Sequence, residues 1–242
     1  MDTAFTLIRV SLFGAAGKMG SEALKALAAE PGFELVNLIE RPEHPAIGSI
    51  VQGIRISGNP YELPLAGTVF CDFTNAESAV KNAALAAEME CPILIGATGF
   101  KAEQMDFLLS LGEKIPIMLA ANLSRGVNLL YRLVEYAAPY LCGDFQVSVV
   151  ETHHKWKKDA PSGTAAEILR ILKEKGFAQA EVHSLRMGDV TGEHQVIFSG
   201  EGESIILQHR AHSRLAFARG VIPALKFLAS AKPGCYSFSE AL

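Results

Sequence analysis

The chain has 242 residues, 49% hydrophobic and 20% charged, which excludes intrinsic disorder and suffices for one large domain or two modest ones. Its 22 Lys and Arg against 26 Asp and Glu leave a net charge of −4, which argues against a nucleic-acid partner held by blanket phosphate neutralisation. No apolar run approaches the ~20 residues of a membrane span, so no membrane partner is expected.

The first residues lack a basic leader and a small-residue cleavage site and run straight into a strand, so a cytoplasmic location is expected. Residues 6–13 are β-branched and apolar, as in a buried strand. Residues 14–20 form a glycine-rich turn. A helix over 21–30 follows, with Leu24, Leu27 and Ala28 on one face and Pro31-Gly32 as its stop. Residues 33–39 read as a second strand ending at Glu40-Arg41. Strand, glycine turn, helix and strand make the opening unit of a parallel sheet.

The alternation continues with a strand at 69–73, an alanine-rich helix at 78–89 and a strand at 92–95 that runs into Gly96-Ala97-Thr98-Gly99. A helix at 103–111 and a strand at 117–121 come next, residues 122–126 break the pattern, and a helix resumes over 127–141. After Gly143 the character changes. A strand at 145–150 leads into a polar stretch over 151–164, a helix at 165–175 and three strand-like segments at 181–185, 195–199 and 204–211 without helices between them. Residues 224–230 close the chain as a helix. The pattern predicts an α/β fold: a Rossmann-like doubly wound parallel sheet plus a smaller α+β domain with a mixed sheet. Cys71, Cys91, Cys142 and Cys235 are scattered, with no CxxC pair and no metal-ligand spacing, so they read as buried thiols and no metal is expected.

Gly14-Ala15-Ala16-Gly17-Lys18-Met19-Gly20 sits between a strand and a helix, where glycines permit a tight turn and the helix N-terminus offers N–H groups to a pyrophosphate. Ala16 stands where the usual GxGxxG fingerprint has glycine, and alone the pattern is also that of a plain tight turn. Glu40 lies about 20 residues on, where an acid bonds the ribose hydroxyls of NAD. Arg41 beside it suits the 2′-phosphate of NADP. Either NADH or NADPH is the expected cofactor.

The stretch from Glu151 to Thr164 places Lys155, Lys157, Lys158, His153 and His154 within six residues of an acidic protein. One Trp and three Lys make a poor nucleic-acid footprint. Adjacent histidines on extended backbone point to opposite faces, so a metal site is also poor. An anionic-substrate site with a proton donor fits better. Thr164-Ala165-Ala166-Glu167 suits a capping box, and the helix start at Gly163-Thr164 could receive a carboxylate. An ordinary capped helix behind a solvated charge run is the plain alternative.

These residues resemble the 4-hydroxy-tetrahydrodipicolinate reductase (dihydrodipicolinate reductase) family over essentially the full length. Residues 153–165 are similar to its HHxxKxDAPSGTA signature, residues 14–20 to its glycine turn, residues 96–100 to its GTTGF segment and residues 120–128 to its AANFSxGVN segment. A run from Arg214 to Gly220 resembles one near the family's C-terminus. The resemblance implies His153 as proton donor or acceptor, Lys157 as second proton donor, and His154, Gly163 and Thr164 as substrate-carboxylate ligands. It implies that Gly14, Ala15, Ala16, Gly17, Lys18, Met19, Glu40, Arg41, Gly96, Ala97, Thr98, Ala120, Ala121, Asn122 and Leu123 hold the cofactor. It also implies a dinucleotide-binding domain of residues 1–122 and 217–242, and a substrate-binding and oligomerisation domain of residues 123–216. The expected partner is a small cyclic dicarboxylate, and the expected assembly a homotetramer built through the substrate-domain sheet. Ala97 for threonine, Leu123 for phenylalanine and Arg125 for a small or aliphatic residue are departures from the family pattern, and the chain is short between Lys175 and Glu181.

The implied reaction is NAD(P)H-dependent reduction of 4-hydroxy-tetrahydrodipicolinate, or its dehydrated form, with loss of water, in lysine biosynthesis through diaminopimelate. Lysine stays protonated at neutral pH, which suits donation. A related reductase of another dicarboxylate, such as an aspartate dehydrogenase-like enzyme, and a non-catalytic dinucleotide sensor are the competing readings.

Overall fold

The computed structural model describes residues 7–242, so Thr6, the predicted start of the first strand, lies outside the described residues. The chain divides into two compact units, Met1–Leu123 with Phe217–Leu242, and Ser124–Ala216. In chain order the first unit contains β1 (Ile8–Phe13), α1 (Lys18–Ala28), β2 (Phe33–Ile39), β3 (Ile50–Val51), β4 (Ile54–Ser57) and β5 (Val69–Asp72). It continues with α2 (Ala76–Glu88), β6 (Ile93–Ile95), α3 (Ala102–Leu111) and β7 (Pro116–Leu119). The second unit holds α4 (Arg125–Leu141), β8 (Gln146–His153), α5 (Gly163–Glu174), β9 (Glu181–Arg186), β10 (Gly192–Ser199) and β11 (Ser204–Ala211). A short α6 (Leu215–Ala218) precedes α7 (Val221–Leu228) and β12 (Gly234–Tyr236), which complete the first unit.

The first unit is a sheet of order β12-β7-β6-β5-β1-β2-β4-β3, parallel throughout except for the β3–β4 pair. Helices cover both faces. On one side Val10, Leu12, Leu94 and Met118 pack with Leu24 and Leu27 of α1 and with Leu225 and Leu228 of α7. On the other, Phe13, Phe70, Ile93 and Ile117 pack with Ala79, Ala83 and Ala86 of α2 and Leu108 of α3. Central strands buried on both faces explain the continuous apolar runs. Leu123 falls in this unit, one residue past the boundary drawn from the sequence: its side chain joins the first core, and Gly220 packs on its carbonyl.

The second unit is a four-stranded sheet of order β11-β10-β8-β9, with β8 and β9 parallel and the other pairs antiparallel. The α5 crossover makes the parallel pair, and the turn at Gly202 (φ 84°) makes the β10–β11 hairpin. Val147, Val149, Val196 and Phe198 face Leu130 and Val134 of α4 and Ile168 and Leu172 of α5. The opposite face carries Val150, Ile197, Ile206 and Leu185, by strand alternation and register.

Several expectations require correction. Helix α1 starts at Lys18 rather than 21, because the absence of a Cβ at Gly20 lets a helical turn sit against the Gly14 backbone. Strand β8 runs to His153 rather than ending at 150. Glu151 and His153 occupy its inward positions and find partners there, so polar residues interrupt the hydrophobic alternation without ending the strand. Helix α5 is capped by Ser162 rather than Thr164: Ser162 Oγ accepts the Ala165 N–H at 3.2 Å. Strands β3, β4 and β12 and helix α6 had no predicted counterpart. Among the cysteines, Cys142 and Cys235 are exposed rather than buried; Cys142 caps the end of α4, and Cys235 lies on the edge strand β12.

Candidate active site

The first unit carries two clefts at the carboxyl ends of its parallel strands, where open α/β sheets place their ligands. One, of about 370 Å³, is lined by Gly14 and Gly17 of the first turn, Glu40 and Arg41 after β2, Phe73 to Asn75 after β5, and Ser78, Lys81 and Asn82 of α2. The other, of about 140 Å³, is lined by Met19, Phe73, Gly96, Ala120 to Leu123, and Phe217. Phe73 belongs to both. Its carbonyl would lie 2.8 Å from a Cβ at Gly14 and its ring 2.5 Å from one at Gly96, so both glycines are required by its close approach.

The turn fits a dinucleotide. Gly14 has φ 74°, and Gly17 caps α1 without a side chain to consume the first N–H groups. Helices α2, α4 and α5 use Asn75, Ser124 and Ser162 for that purpose. No acid lies in the first turn of α1, so its positive end is left for a phosphate. Glu40 Oε2 accepts the Ala16 N–H at 3.2 Å, which pins the turn to the end of β2. Buried Asp72 does the same for the next loop: it accepts from Thr74 N at 2.8 Å, Thr74 Oγ1 at 2.6 Å and Asn82 Nδ2 at 2.7 Å. Burial raises the Asp72 carboxyl, and these bonds partly offset the rise.

In the second unit, the end of β8 and the loop to α5 gather a polar cluster. Glu151 and His153 share the inward face, with fully buried Glu151 receiving His153 Nδ1. Arg186 on β9 forks onto the Glu151 carboxylate at 3.0 and 2.8 Å, and the Ser162 N–H reaches it at 3.3 Å. His194 on β10 bonds Ser162 Oγ through Nε2 at 3.1 Å and meets the His153 ring edge-to-face at 5.2 Å. Lys157 pairs with Asp159 at 2.8 Å. The His154 ring stacks at a tilt 5.9 Å from exposed Trp156, and its Nδ1 is buried without a hydrogen-bond partner among the described residues. A Cβ at Gly163 would meet nothing within 4 Å, so nothing in the chain itself requires glycine there.

Burial would raise the Glu151 carboxyl, but Arg186, Ser184 and His153 outweigh it and hold it at about 2. Burial lowers His153, with Glu151 opposing and Lys157 and Arg186 adding to the shift. His194 is pushed down to about 3, first by burial and then by the neighbouring His153. The lowered value has a consequence for stability. Below an unfolded histidine pKa of about 6.5 the unfolded chain takes up a proton that folded His194 refuses, so stability falls as pH falls, by up to about 1.4 kcal/mol per unit. Urea unfolding should therefore lose about 2 kcal/mol more between pH 7 and pH 5 in the wild type than in His194→Gln. Equal losses would remove His194 as the source.

Of the predicted cofactor residues, Gly14, Gly17, Glu40 and Arg41 line the larger cleft, and Met19, Gly96 and Ala120 to Leu123 the smaller. Ala15 and Ala97 turn into the cores, and Lys18 and Thr98 are exposed and line neither cleft. His153, His154, Lys157, Gly163 and Thr164 lie along one strand end, loop and helix start. Arg125, the first residue of α4, is exposed, and nothing in the structure explains it. Sequence reasoning missed Phe73, Thr74, Asn75, Lys81, Glu151, Arg186 and His194. The Asp-Phe-Thr-Asn run after a buried strand was legible as a second strand–helix loop; Arg186 and His194 gave no local sign. Among the described residues no group of His, Cys, Asp and Glu is arranged to hold a metal, and no helix is long and apolar enough to cross a membrane.

The family models described as the N-terminus and the C-terminus of dihydrodipicolinate reductase match residues 8–123 and 126–242. The chain is 36% identical to the 4-hydroxy-tetrahydrodipicolinate reductase of Syntrophus aciditrophicus (strain SB), over 98% of each chain. It is 40% identical to that of Archaeoglobus fulgidus, over 97% of this chain and 100% of the relative. A dipicolinate-bound dihydrodipicolinate reductase from Paenisporosarcina sp. TG-14 superposes with a TM-score of 0.80 at 25% identity, covering 96% of this chain and 97% of that one. The aspartate dehydrogenase of Thermotoga maritima matches with a TM-score of 0.55 at 11% identity, over 93% and 97% of the two chains, a likeness of fold alone.

Proposed function

The chain belongs to the dihydrodipicolinate reductase family, and on that premise we propose how its residues divide the work of a 4-hydroxy-tetrahydrodipicolinate reductase. The activity is NAD(P)H-dependent reduction of the cyclic dicarboxylate 4-hydroxy-tetrahydrodipicolinate with loss of water, in lysine biosynthesis through diaminopimelate. The observation that carries the division of roles is the joint placement of His153, Lys157 and the Gly163 start of α5 around the Glu151 carboxylate.

When bound, the reduced nicotinamide would supply hydride to ring carbon 4 of the dehydrated substrate, formed when the carbon 4 hydroxyl leaves as water with a proton from the adjacent ring carbon. Gly14, Gly17 and the uncapped start of α1 receive the pyrophosphate, and Glu40 accepts from the ribose hydroxyls. Arg41, with Lys81 in the same cleft, suits a 2′-phosphate, so either NADH or NADPH serves. The Gly163 N–H and the Thr164 start of α5, with His154, hold the substrate carboxylates. Lys157, steadied by Asp159, gives a proton to the ring carbon beside the one that takes hydride. His153 moves a proton at Nε2. In this reading residues 1–123 with 217–242 serve the cofactor and residues 124–216 serve substrate and assembly. The sheet face of Val150, Leu185, Ile197 and Ile206 supports a homotetramer, and a soluble biosynthetic role suits a cytoplasmic protein.

A coupled assay tests the reading: synthase-generated substrate should cause loss of NADH and of NADPH absorbance, and light scattering on the same preparation should report four chains. No oxidation of either dinucleotide would reject the catalytic roles, and a monomer mass would reject the tetramer.

A further inference from the structure

The Glu151–Arg186 pair has no part in the roles assigned above, although it sits at their centre. We propose that Glu151 is the positioning residue for His153. Its carboxylate takes the Nδ1–H, fixes the tautomer whose Nε2 meets substrate, and with Arg186 ties that ring to Lys157 and to the start of α5. The proposal rests on the role given to His153 under the proposed function.

An ionised carboxylate can only accept, so a Glu151 oxygen against His153 Nδ1 makes that nitrogen the donor. Nε2 is then the exchangeable position, and no group among the described residues bonds it. When Nε2 carries a proton, the adjacent anion offsets the imidazolium charge, the part a buried acid plays behind a catalytic histidine elsewhere. Glu151 is fully buried, a costly place for a charge unless it is paired and hydrogen-bonded. Its contacts meet that condition and also extend it. Arg186 Nη2 donates to Glu151 Oε1 at 2.8 Å and to the Asp159 carbonyl at 2.6 Å. Asp159 in turn holds Lys157 at 2.8 Å. The Ser162 N–H donates to Glu151 Oε1, and Ser162 caps α5. One carboxylate therefore references both proton-bearing side chains and the helix start. The charged and titratable groups around His153 are Glu151 on its own strand, Arg186 on β9, His194 on β10, and Lys157 and Asp159 in the following loop.

Glu151→Gln is nearly isosteric, keeps an acceptor for Arg186 and Ser162, and loses the charge. It should lower kcat about 100-fold or more while KM and dinucleotide Kd stay within about 3-fold. Without the anion the imidazolium is less stable, so the limb of the kcat/KM profile that His153 sets, and that His153→Ala abolishes, should move to lower pH. In a His153→Ala background the same substitution should cost little more, because the partner through which Glu151 acts is gone. No movement of the limb that His153 sets, or an undiminished loss in the His153→Ala background, would overturn the proposal. Imidazole ¹⁵N shifts of the wild-type protein should show the Nδ1–H tautomer at His153. An Nε2–H tautomer there overturns it even if Glu151→Gln does not fold. The kcat of His153→Ala alone tests the role of His153, and the nitrogen spectrum tests the hold of Glu151 on the ring, so the two ideas can fail separately.

Discussion

Replacing Lys157 by alanine is expected to lower kcat by about 10²–10⁴-fold, the range for removing a positioned general acid. The lysine is not a freely waving surface cation. Its side chain is 21% exposed against 61% for its partner Asp159, and the pair closes at 2.8 Å. The backbone holds it from both sides: Lys157 N donates to the His154 carbonyl at 3.1 Å, and Arg186 holds the Asp159 carbonyl. In the proposed role, removing the ammonium takes away both a proton source for the reduced ring and a charge that offsets two carboxylates, so KM should rise as well, though by less. NAD(P)H affinity should not follow, because the two dinucleotide clefts are lined by residues of the first unit. Lys157→Arg separates the two contributions. A guanidinium keeps the charge but gives up its proton far less readily, so KM should recover while kcat stays low. Stopped-flow turnover beside fluorescence titration of NADPH makes the measurement. Equal losses of rate and cofactor affinity would remove Lys157 from the chemistry.

The alternating half of the fold was legible because its strands are buried on both faces and its helices are closed by local stops. Phe33–Ile39 and Ser204–Ala211 were bounded as observed. What escaped follows from the same physics. Ile50–Val51, Ile54–Ser57 and Gly234–Tyr236 are too short for a periodicity, and pairing with a neighbouring strand defines them. Gly20 reads as a turn residue, because a helix interior disfavours glycine by about 1 kcal/mol, yet tertiary crowding demands it there. In the candidate site, the His153 to Ala165 run could be read because its residues are contiguous. Arg186 and His194 could not. They reach Glu151 and Ser162 from β9 and β10 through sheet register, and an Arg at a strand end or a His within an alternating strand looks the same when it is solvated. A carboxylate two residues before a basic run looks like surface charge balance, whereas Glu151 is fully buried.

Gly20→Ala should destabilise the first unit and weaken dinucleotide binding together. Helix propensity alone points the other way, favouring alanine by about 0.8–1 kcal/mol. Crowding decides the sign. A Cβ at Gly20 would stand 1.9 Å from the Gly14 carbonyl oxygen, 2.8 Å from its carbon and 3.1 Å from Ala15 Cα. All three are backbone atoms, so no side chain can swing aside. Gly14 cannot retreat, because it already has φ 74° and a Cβ there would lie 2.8 Å from the Phe73 carbonyl. Relief requires α1 to lift from the turn, and the lifted N–H groups are those proposed to receive the pyrophosphate. Overpacking of this kind costs about 3 kcal/mol, so a net loss of about 2 kcal/mol remains after the propensity gain. NADPH Kd should rise about 10-fold or more, equivalent to about 1.4 kcal/mol. Gly17→Ala is the matched control for unfolding alone, because Gly17 lines the cleft itself: its nearest atom is the Gly14 oxygen at 3.2 Å, a contact the turn can absorb by a few tenths of an ångström. Urea midpoints on both variants and a fluorescence titration of Gly20→Ala against wild type make the comparison. Wild-type unfolding and wild-type affinity in Gly20→Ala would show that the turn can be remodelled, and the claim that the packing of Gly20 on Gly14 shapes the phosphate site would fall with it.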